Sequence, residues 1–235
     1  MITFDLKQLR LNPGDRVLDI GCGTGRHACA IYACEKLFVI AADRQTADVV
    51  QARDRLRFHD QLRIHRDGSW AVSTMDIKHL PFPDECFDLV ICSEVLEHIS
   101  DHFQAIGELV RVLKKGRDLV VSVPRYFPEK ICWRLSREYR ETPGGHIRIY
   151  RWKMIVNLLE GAGLKPRRVH FAHSLHTPYW WLKCLVGPHR TDVPAVNLYQ
   201  RFLTWDILKK PPVVRFIDRL LNPLMGKSLV IYARK

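Results

Sequence analysis

Three glycines and three aspartates at the ends of apolar runs are the residues of this chain best placed to do chemistry. Val17-Leu-Asp-Ile-Gly-Cys-Gly-Thr-Gly25 reads as a buried strand running into a glycine turn that opens a helix. Glycine at 21, 23 and 25 lets the backbone take positive φ and come close to a ligand, and the first N–H groups of the helix stay free to donate. The G-x-G-x-G spacing is tighter than the G-x-G-x-x-G loop that cradles a dinucleotide pyrophosphate. Asp19, just inside the strand end, can face an ammonium group directly or through water. Asp43, at the end of the second apolar run, can accept hydrogen bonds from both hydroxyls of a ribose. Asp76, after the third run, can accept from an adenine amino group beside Ile77. Taken singly, Asp43 and Asp76 also suit turns or helix caps. Together the three converge on one crevice and suit S-adenosylmethionine, which carries an ammonium, a carboxylate and a sulfonium and no phosphate.

The elements that must hold these carboxylates along one edge follow from the alternation of short apolar runs with stretches of helical spacing. That alternation marks β-α-β units around a mainly parallel sheet. Arg16 to Ile20, Leu37 to Ala42, Ala71 to Met75, Phe87 to Cys92, Asp118 to Val123, Lys165 to Phe171 and Leu229 to Ala233 predict seven strands. Helices are expected at Gly25 to Cys34, Thr46 to Phe58, Gln104 to Leu113, Pro128 to Ser136 and Trp152 to Glu160, the last stopped by Gly161 and Gly163. The last two strands stand far apart, so residues 172–228 are expected to be a helical insertion within a single domain, 1–235.

Val17-Leu-Asp-Ile-Gly-Cys-Gly-Thr-Gly-Arg26, Asp43, Met75-Asp76, Leu80-Pro-Phe-Pro-Asp-Glu-Cys-Phe-Asp-Leu-Val90, Glu94-Val-Leu-Glu-His-Ile99 and Leu113-Lys-Lys-Gly116 together resemble the class I S-adenosylmethionine-dependent methyltransferases, especially the ubiquinone and menaquinone methyltransferase-like, type 11 group. The resemblance covers about residues 12 to 170, with Leu229 to Ala233 as the closing strand. It implies a Rossmann-like α/β fold with helices on both faces and sheet order 3-2-1-4-5-7-6, the seventh strand antiparallel. It also implies S-adenosylmethionine as cofactor, with Asp19, Gly21, Cys22, Gly23, Gly25, Asp43, Arg44, Asp76, Ile77, Ser93 and Glu94 as the expected binding set. Members of the group usually carry a longer N-terminal helical cap over the substrate. In this chain the insertion is the expected lid.

Methyl transfer from a sulfonium is an in-line displacement, so alignment supplies most of the acceleration, and a base helps when the acceptor is a hydroxyl. Glu94, Glu97, His98, Tyr126, Glu141 and His146 lie near the ends of the fourth and fifth strands. The catalytic candidates drawn from them are His146, Tyr126 and His98. His146 stands in Pro143-Gly-Gly-His-Ile-Arg-Ile-Tyr150, where an imidazole can take a proton from the acceptor or simply bond the loop backbone. Glu94-x-x-Glu97-His98 is similar to a run associated with magnesium in some ubiquinone-pathway O-methyltransferases. Magnesium uses few protein ligands and imidazole suits it poorly, so this stretch is expected to cap the next helix and shape the methionine pocket, without a metal.

Charge divides the chain. Residues 1–110 hold 12 Lys/Arg against 17 Asp/Glu, and residues 111–235 hold 25 against 8. A basic second half can meet anionic lipid, nucleic acid or an acidic substrate, or be only a solvated face. The insertion adds aromatic residues to that charge, with Tyr179, Trp180, Trp181 and Trp205 as expected substrate or membrane contacts. Its later apolar positions (Leu198, Phe202, Trp205, Leu208; Val213, Phe216, Ile217, Leu220, Leu224) follow amphipathic helical spacing. The expected acceptor is bulky and lipid-like or prenylated, methylated on oxygen or carbon. A soluble secondary metabolite is the alternative and RNA a second one, although no RNA-binding module or Asn/Asp-Pro-Pro-Tyr/Phe loop is visible. A non-catalytic scaffold fits poorly with an intact glycine loop. The seven cysteines form no C-x-x-C pair and read as reduced thiols. With no leader-like or membrane-spanning run, the chain is expected in the cytoplasm, peripheral to the inner face of a membrane.

Overall fold

The structure is a computed structural model that describes residues 2–235. Seven strands form one sheet: β1 (Arg16–Ile20), β2 (Phe38–Asp43), β3 (Ser69–Thr74), β4 (Phe87–Ser93), β5 (Leu113–Pro124), β6 (Lys165–Ala172) and β7 (Ser228–Arg234). Their order is β3-β2-β1-β4-β5-β7-β6, parallel throughout except for β7, which runs antiparallel to both neighbours. This is the expected Rossmann-like class I arrangement. β4 is buried along its whole length, which explains why Phe87-Asp-Leu-Val-Ile-Cys-Ser93 lacks alternation: a central parallel strand is covered on both faces.

Helices α1 (Arg26–Tyr32), α2 (Thr46–Gln61), α3 (His102–Val112), α4 (Tyr126–Leu135), α5 (Arg137–Arg140) and α6 (Trp152–Gly161) connect the strands. Two apolar clusters fill the space above and below the sheet, one around Leu18, Phe87, Leu109 and Ile155, the other around Val17, Ile31, Leu56 and Ile91. α3 starts where Asp101 accepts from the Gln104 N–H at 3.0 Å. α6 stops at Gly161, with Gly163 in the left-handed region, as the glycines foretold. β5 is longer than expected. Lys114 to Arg117 look like a loop, but the strand pairs Leu113 with Phe87 on one side and Asp118 with Arg234 on the other.

The insertion folds into three helices, α7 (His176–Val186), α8 (Pro194–Lys209) and α9 (Pro212–Met225), the last two opening on proline, whose fixed φ and missing N–H suit a first turn. α9 is amphipathic in the unusual sense. Arg215, Asp218 and Asn222 face the protein, where the Asp218 carboxylate accepts from Ser174 Oγ (2.7 Å) and the Leu175 N–H (3.1 Å), and Asn222 Oδ1 accepts from the Ser174 N–H (2.9 Å). Val213, Phe216, Ile217, Leu220 and Leu224 therefore point outward, each 41–71 % exposed.

Candidate active site

The glycine loop is shaped by what lies against it. At Gly21 (φ +70°) a Cβ would come within 2.2 Å of Val95 Cγ2, and at Gly25 (φ +81°) within 2.9 Å of the Ala52 backbone in α2. Both positions exclude side chains by conformation and by space. A Cβ at Gly23 would meet nothing within 4 Å, so the turn opens onto free space there.

Asp19 lies beneath the loop, fully buried. Its Oδ2 accepts from the Ala28 N–H in the first turn of α1 at 2.9 Å, and its Oδ1 has no partner. Burial is the main cause that pushes its carboxyl up to about 7, against the Ala28 bond and the Arg26 charge. A buried acceptor left bare is costly, and an ammonium group is the partner that would both satisfy it and restore its charge. Asp43 ties the loop to β2: its Oδ2 accepts from the Gly23 N–H and its Oδ1 from the Gln45 N–H, both at 2.9 Å, leaving one lone pair on each oxygen for hydroxyl donors. Asp76 accepts from the Lys78 N–H at 2.9 Å, and Ile77 packs into the core beside Leu80. Arg44 is exposed at the turn after β2. Cys22 is buried, its N–H donating to Ala42 O at 2.9 Å, and burial pushes its thiol up. Ser93 and Ser122 share a 2.7 Å hydroxyl contact, and Ser122 Oγ donates to Glu94 Oε1 at 3.0 Å. Glu94 holds φ +58°, a conformation that disfavours non-glycine residues and recurs at functional sites. The expected cofactor residues thus lie along the carboxyl ends of β1, β2, β3 and β4, and their donor and acceptor set fits S-adenosylmethionine.

A second cluster stands beyond β4 and β5. Glu97, in the turn after β4, is 0 % exposed and neither carboxylate oxygen has a hydrogen-bond partner. Burial above all, with Glu94 and Glu129 adding, pushes its carboxyl well above the usual range. Its Oε1 lies 4.0 Å from both His98 Nε2 and His146 Nε2. His98 Nδ1 donates to the carbonyls of Gly144 (2.9 Å) and Gly145 (3.1 Å), and His146 Nδ1 donates to Glu129 Oε1 at 2.6 Å. Despite its own burial, Glu129 is held below the usual carboxylate range by His146, with Lys227 and Tyr139 contributing. Arg148 fixes the turn that carries Glu97 by donating to the carbonyls of Leu96, Ile99 and Ser100.

The other expected candidates lie outside this cluster. Tyr126 Oη accepts from Arg151 at 3.2 Å, and its hydroxyl is pulled below its ordinary value chiefly by Arg151, with Lys130. Exposed Glu141 is paired with Arg137 and Arg140 at 2.9 Å. Glu94, bonded to Ser122, is absent from the Glu97–His98–His146 group, so the carboxylate–carboxylate–imidazole set suggested by the sequence run does not assemble. Glu129, Tyr139, Arg148 and Lys227 carry no signal in the sequence, because each gains its role only through a partner distant in the chain.

Tyr179, Trp180 and Trp181 in α7 are half-buried and turned into the protein, not out of it. Trp181 Nε1 donates to Pro128 O at 3.0 Å, Trp180 packs on Tyr139 at 5.8 Å with Lys227 5.3 Å from its ring, and Tyr179 packs on Tyr199. Tyr139 in turn meets the His146 ring edge-on at 6.3 Å. Trp180 and Trp181 roof the second cluster, Tyr179 faces α8, and Trp205 remains exposed.

Residues 18–121 match the methyltransferase domain family. The chain is 29% identical over 173 residues to a 27-O-demethylrifamycin SV methyltransferase of Amycolatopsis mediterranei, a match spanning 73% of this chain and 62% of that protein. It is 33% identical over 157 residues to a ubiquinone/menaquinone biosynthesis C-methyltransferase of Vibrio cholerae, spanning 66% and 56%. Both matches thus span less than two thirds of the relative's own length. A solved S-adenosylmethionine-dependent methyltransferase of Methanosarcina mazei shares the fold at 17% identity and a TM-score of 0.63, over 96% of this chain and 94% of that one.

Proposed function

We propose that this chain, whose residues 18–121 match the methyltransferase domain family, is an S-adenosylmethionine-dependent methyltransferase that transfers a methyl group to oxygen or carbon of a bulky, lipid-like or prenylated acceptor. The unpartnered, buried Oδ1 of Asp19 beneath the glycine loop carries the first half of this reading, since it asks for a cationic ligand where the family's cofactor presents one. S-adenosylmethionine, when bound, supplies an electrophilic methyl group on a sulfonium. The chain's own residues hold and orient it through Asp19, Asp43, Asp76 and the backbone of residues 21–25. For a hydroxyl acceptor, His146 Nε2 takes the proton, its ring fixed by Glu129.

The acceptor class is supported by the outward stripe of α9. Beside it lies a cavity of about 980 Å³ whose lining includes Trp152, Phe171, Arg168, Arg215 and Arg219. An apolar stripe with exposed Arg219 on the same helix suits an anionic bilayer surface, where a helix lies in the interface and its cations meet head groups. Among the described residues no helix is long and apolar enough to cross a membrane. With Tyr179–Trp181 turned inward, the membrane face we propose is the α9 stripe together with exposed Trp205. A soluble secondary metabolite is a second reading, favoured by the name of the Amycolatopsis relative.

The experiment supplies labelled S-adenosylmethionine with membrane lipid and quinone extracts, and in parallel with soluble metabolite extracts. Label entering the organic phase of the lipid arm supports the proposal. Label only in the soluble arm supports the second reading. Absence of cofactor binding removes both.

A further inference from the structure

We infer that Glu97, His98 and His146 form a binding site for one borderline divalent transition-metal ion, of the class of Zn²⁺, Co²⁺ or Fe²⁺. One atom from each residue lies within 4.8 Å of the others, and both carboxylate oxygens of Glu97 are buried with no partner. The stronger argument is what the far side of each ring does. His98 Nδ1 faces two backbone carbonyls, which can only accept, so its proton sits there and Nε2 keeps its lone pair. His146 Nδ1 lies 2.6 Å from a carboxylate oxygen of Glu129, an acceptor that places the ring proton on Nδ1 in the same way. Metal-binding histidines are held like this, with the outer N–H on a carbonyl or carboxylate and the inner nitrogen bare. Here both inner nitrogens point toward the same orphaned carboxylate, each 4.0 Å from Glu97 Oε1.

Two imidazoles and one carboxylate suit Zn²⁺, Co²⁺ or Fe²⁺ and not Mg²⁺ or Ca²⁺, which take oxygen ligands. Three protein ligands leave a coordination position open, as in catalytic sites. The set is defined by the fold, because His146 reaches the turn after β4 only through the Gly144–Gly145 loop that His98 holds. An ion there supplies Lewis acidity, and it occupies the Nε2 lone pair, so the proton-accepting role given to His146 above belongs to the ion-free protein. Ion binding needs no acceptor and stands apart from the methyl-transfer reading.

The test uses protein dialysed against EDTA. Calorimetry with Zn²⁺ and the visible absorption of added Co²⁺ should each report one ion per chain, with Mg²⁺ binding at least about 100-fold weaker. His98→Ala, His146→Ala and the isosteric Glu97→Gln should each weaken Zn²⁺ binding at least about tenfold, and Glu129→Gln about 10- to 100-fold through His146. S-adenosylmethionine affinity and Tm measured on each variant show whether it has folded. If the wild type takes up neither Zn²⁺ nor Co²⁺, if Mg²⁺ binds as well as Zn²⁺, or if the folded Glu97→Gln variant binds like the wild type, the site does not exist.

Discussion

Asp19 turns cofactor binding into a titration. Its carboxyl is held at about 7 by burial, with Oδ2 bonded to the Ala28 N–H and Oδ1 bare, so the empty protein at pH 5 carries it neutral. An ammonium at Oδ1 requires the ionised form. Binding must therefore release a proton below pH 7, and by linkage the dissociation constant rises about tenfold for each unit of pH below that value, about 1.4 kcal/mol per unit. From pH 8 to pH 5 this amounts to roughly 100-fold. Asp19→Asn presents its amide oxygen to Ala28 but cannot become anionic. Affinity at pH 8 should then fall by about 2–3 kcal/mol, the difference a charge-assisted bond makes, and the slope with pH should vanish. The same shift acts on the empty fold. A raised carboxyl stabilises the native state below the unfolded value near 3.8, and that stability drains away as pH climbs to about 7 and then stays level. Isothermal titration with S-adenosylmethionine at pH 5, 6, 7 and 8, on wild type and Asp19→Asn, measures the affinities and their slope, and urea unfolding of the empty protein over the same pH range measures the stability. A flat wild-type profile, or a variant that keeps the slope, would refute the reasoning.

Other outcomes follow from particular contacts. Gly25→Ala forces a Cβ to within 2.9 Å of Ala52 at φ +81° and should cost about 2–4 kcal/mol, read as a fall in Tm of roughly 5–10 °C. Phe216→Asp with Leu220→Asp should abolish co-sedimentation with anionic vesicles while leaving Tm unchanged, because neither residue packs in the fold, whereas Trp180→Ala with Trp181→Ala should lower Tm and spare vesicle binding. Retention of the α9 double variant on vesicles would remove the membrane reading. In protein dialysed against EDTA, Glu129→Gln should lower kcat by about 10- to 100-fold on a hydroxyl acceptor with cofactor KM unchanged, and unaltered kcat would take the proton role away from His146.

The sheet was legible because buried parallel strands write themselves as short apolar runs, and because glycine and aspartate at their ends are constrained by backbone chemistry. β5 was read short at its start, since Lys114, Lys115 and Gly116 lack apolar character and extend the strand only through pairing with its neighbours. The period of α9 was visible, but a stripe does not declare what it faces. Bonds to distant parts of the chain, such as those of Asp218 and Asn222 to Ser174, turn it outward. Tyr179, Trp180 and Trp181 could not all share one surface, because consecutive helix positions are about 100° apart, and two of them roof the cluster at His146. The Glu129 to His146 contact joins residues 17 apart with no pattern between them, so no periodicity announces it.

The insertion leaves the sheet after Ala172 and returns at Ser228, and those two residues are paired across β6 and β7. Its ends are thus pinned side by side by ladder bonds that exist whatever lies between them. For a segment with such a neck, doubling its length costs only about 0.6 kcal/mol of closure entropy. If the insertion covers the acceptor as proposed, it is an exchangeable cassette. A different length or sequence between the same two anchors would retarget the enzyme while the cofactor half, built on other strands, stays as it is.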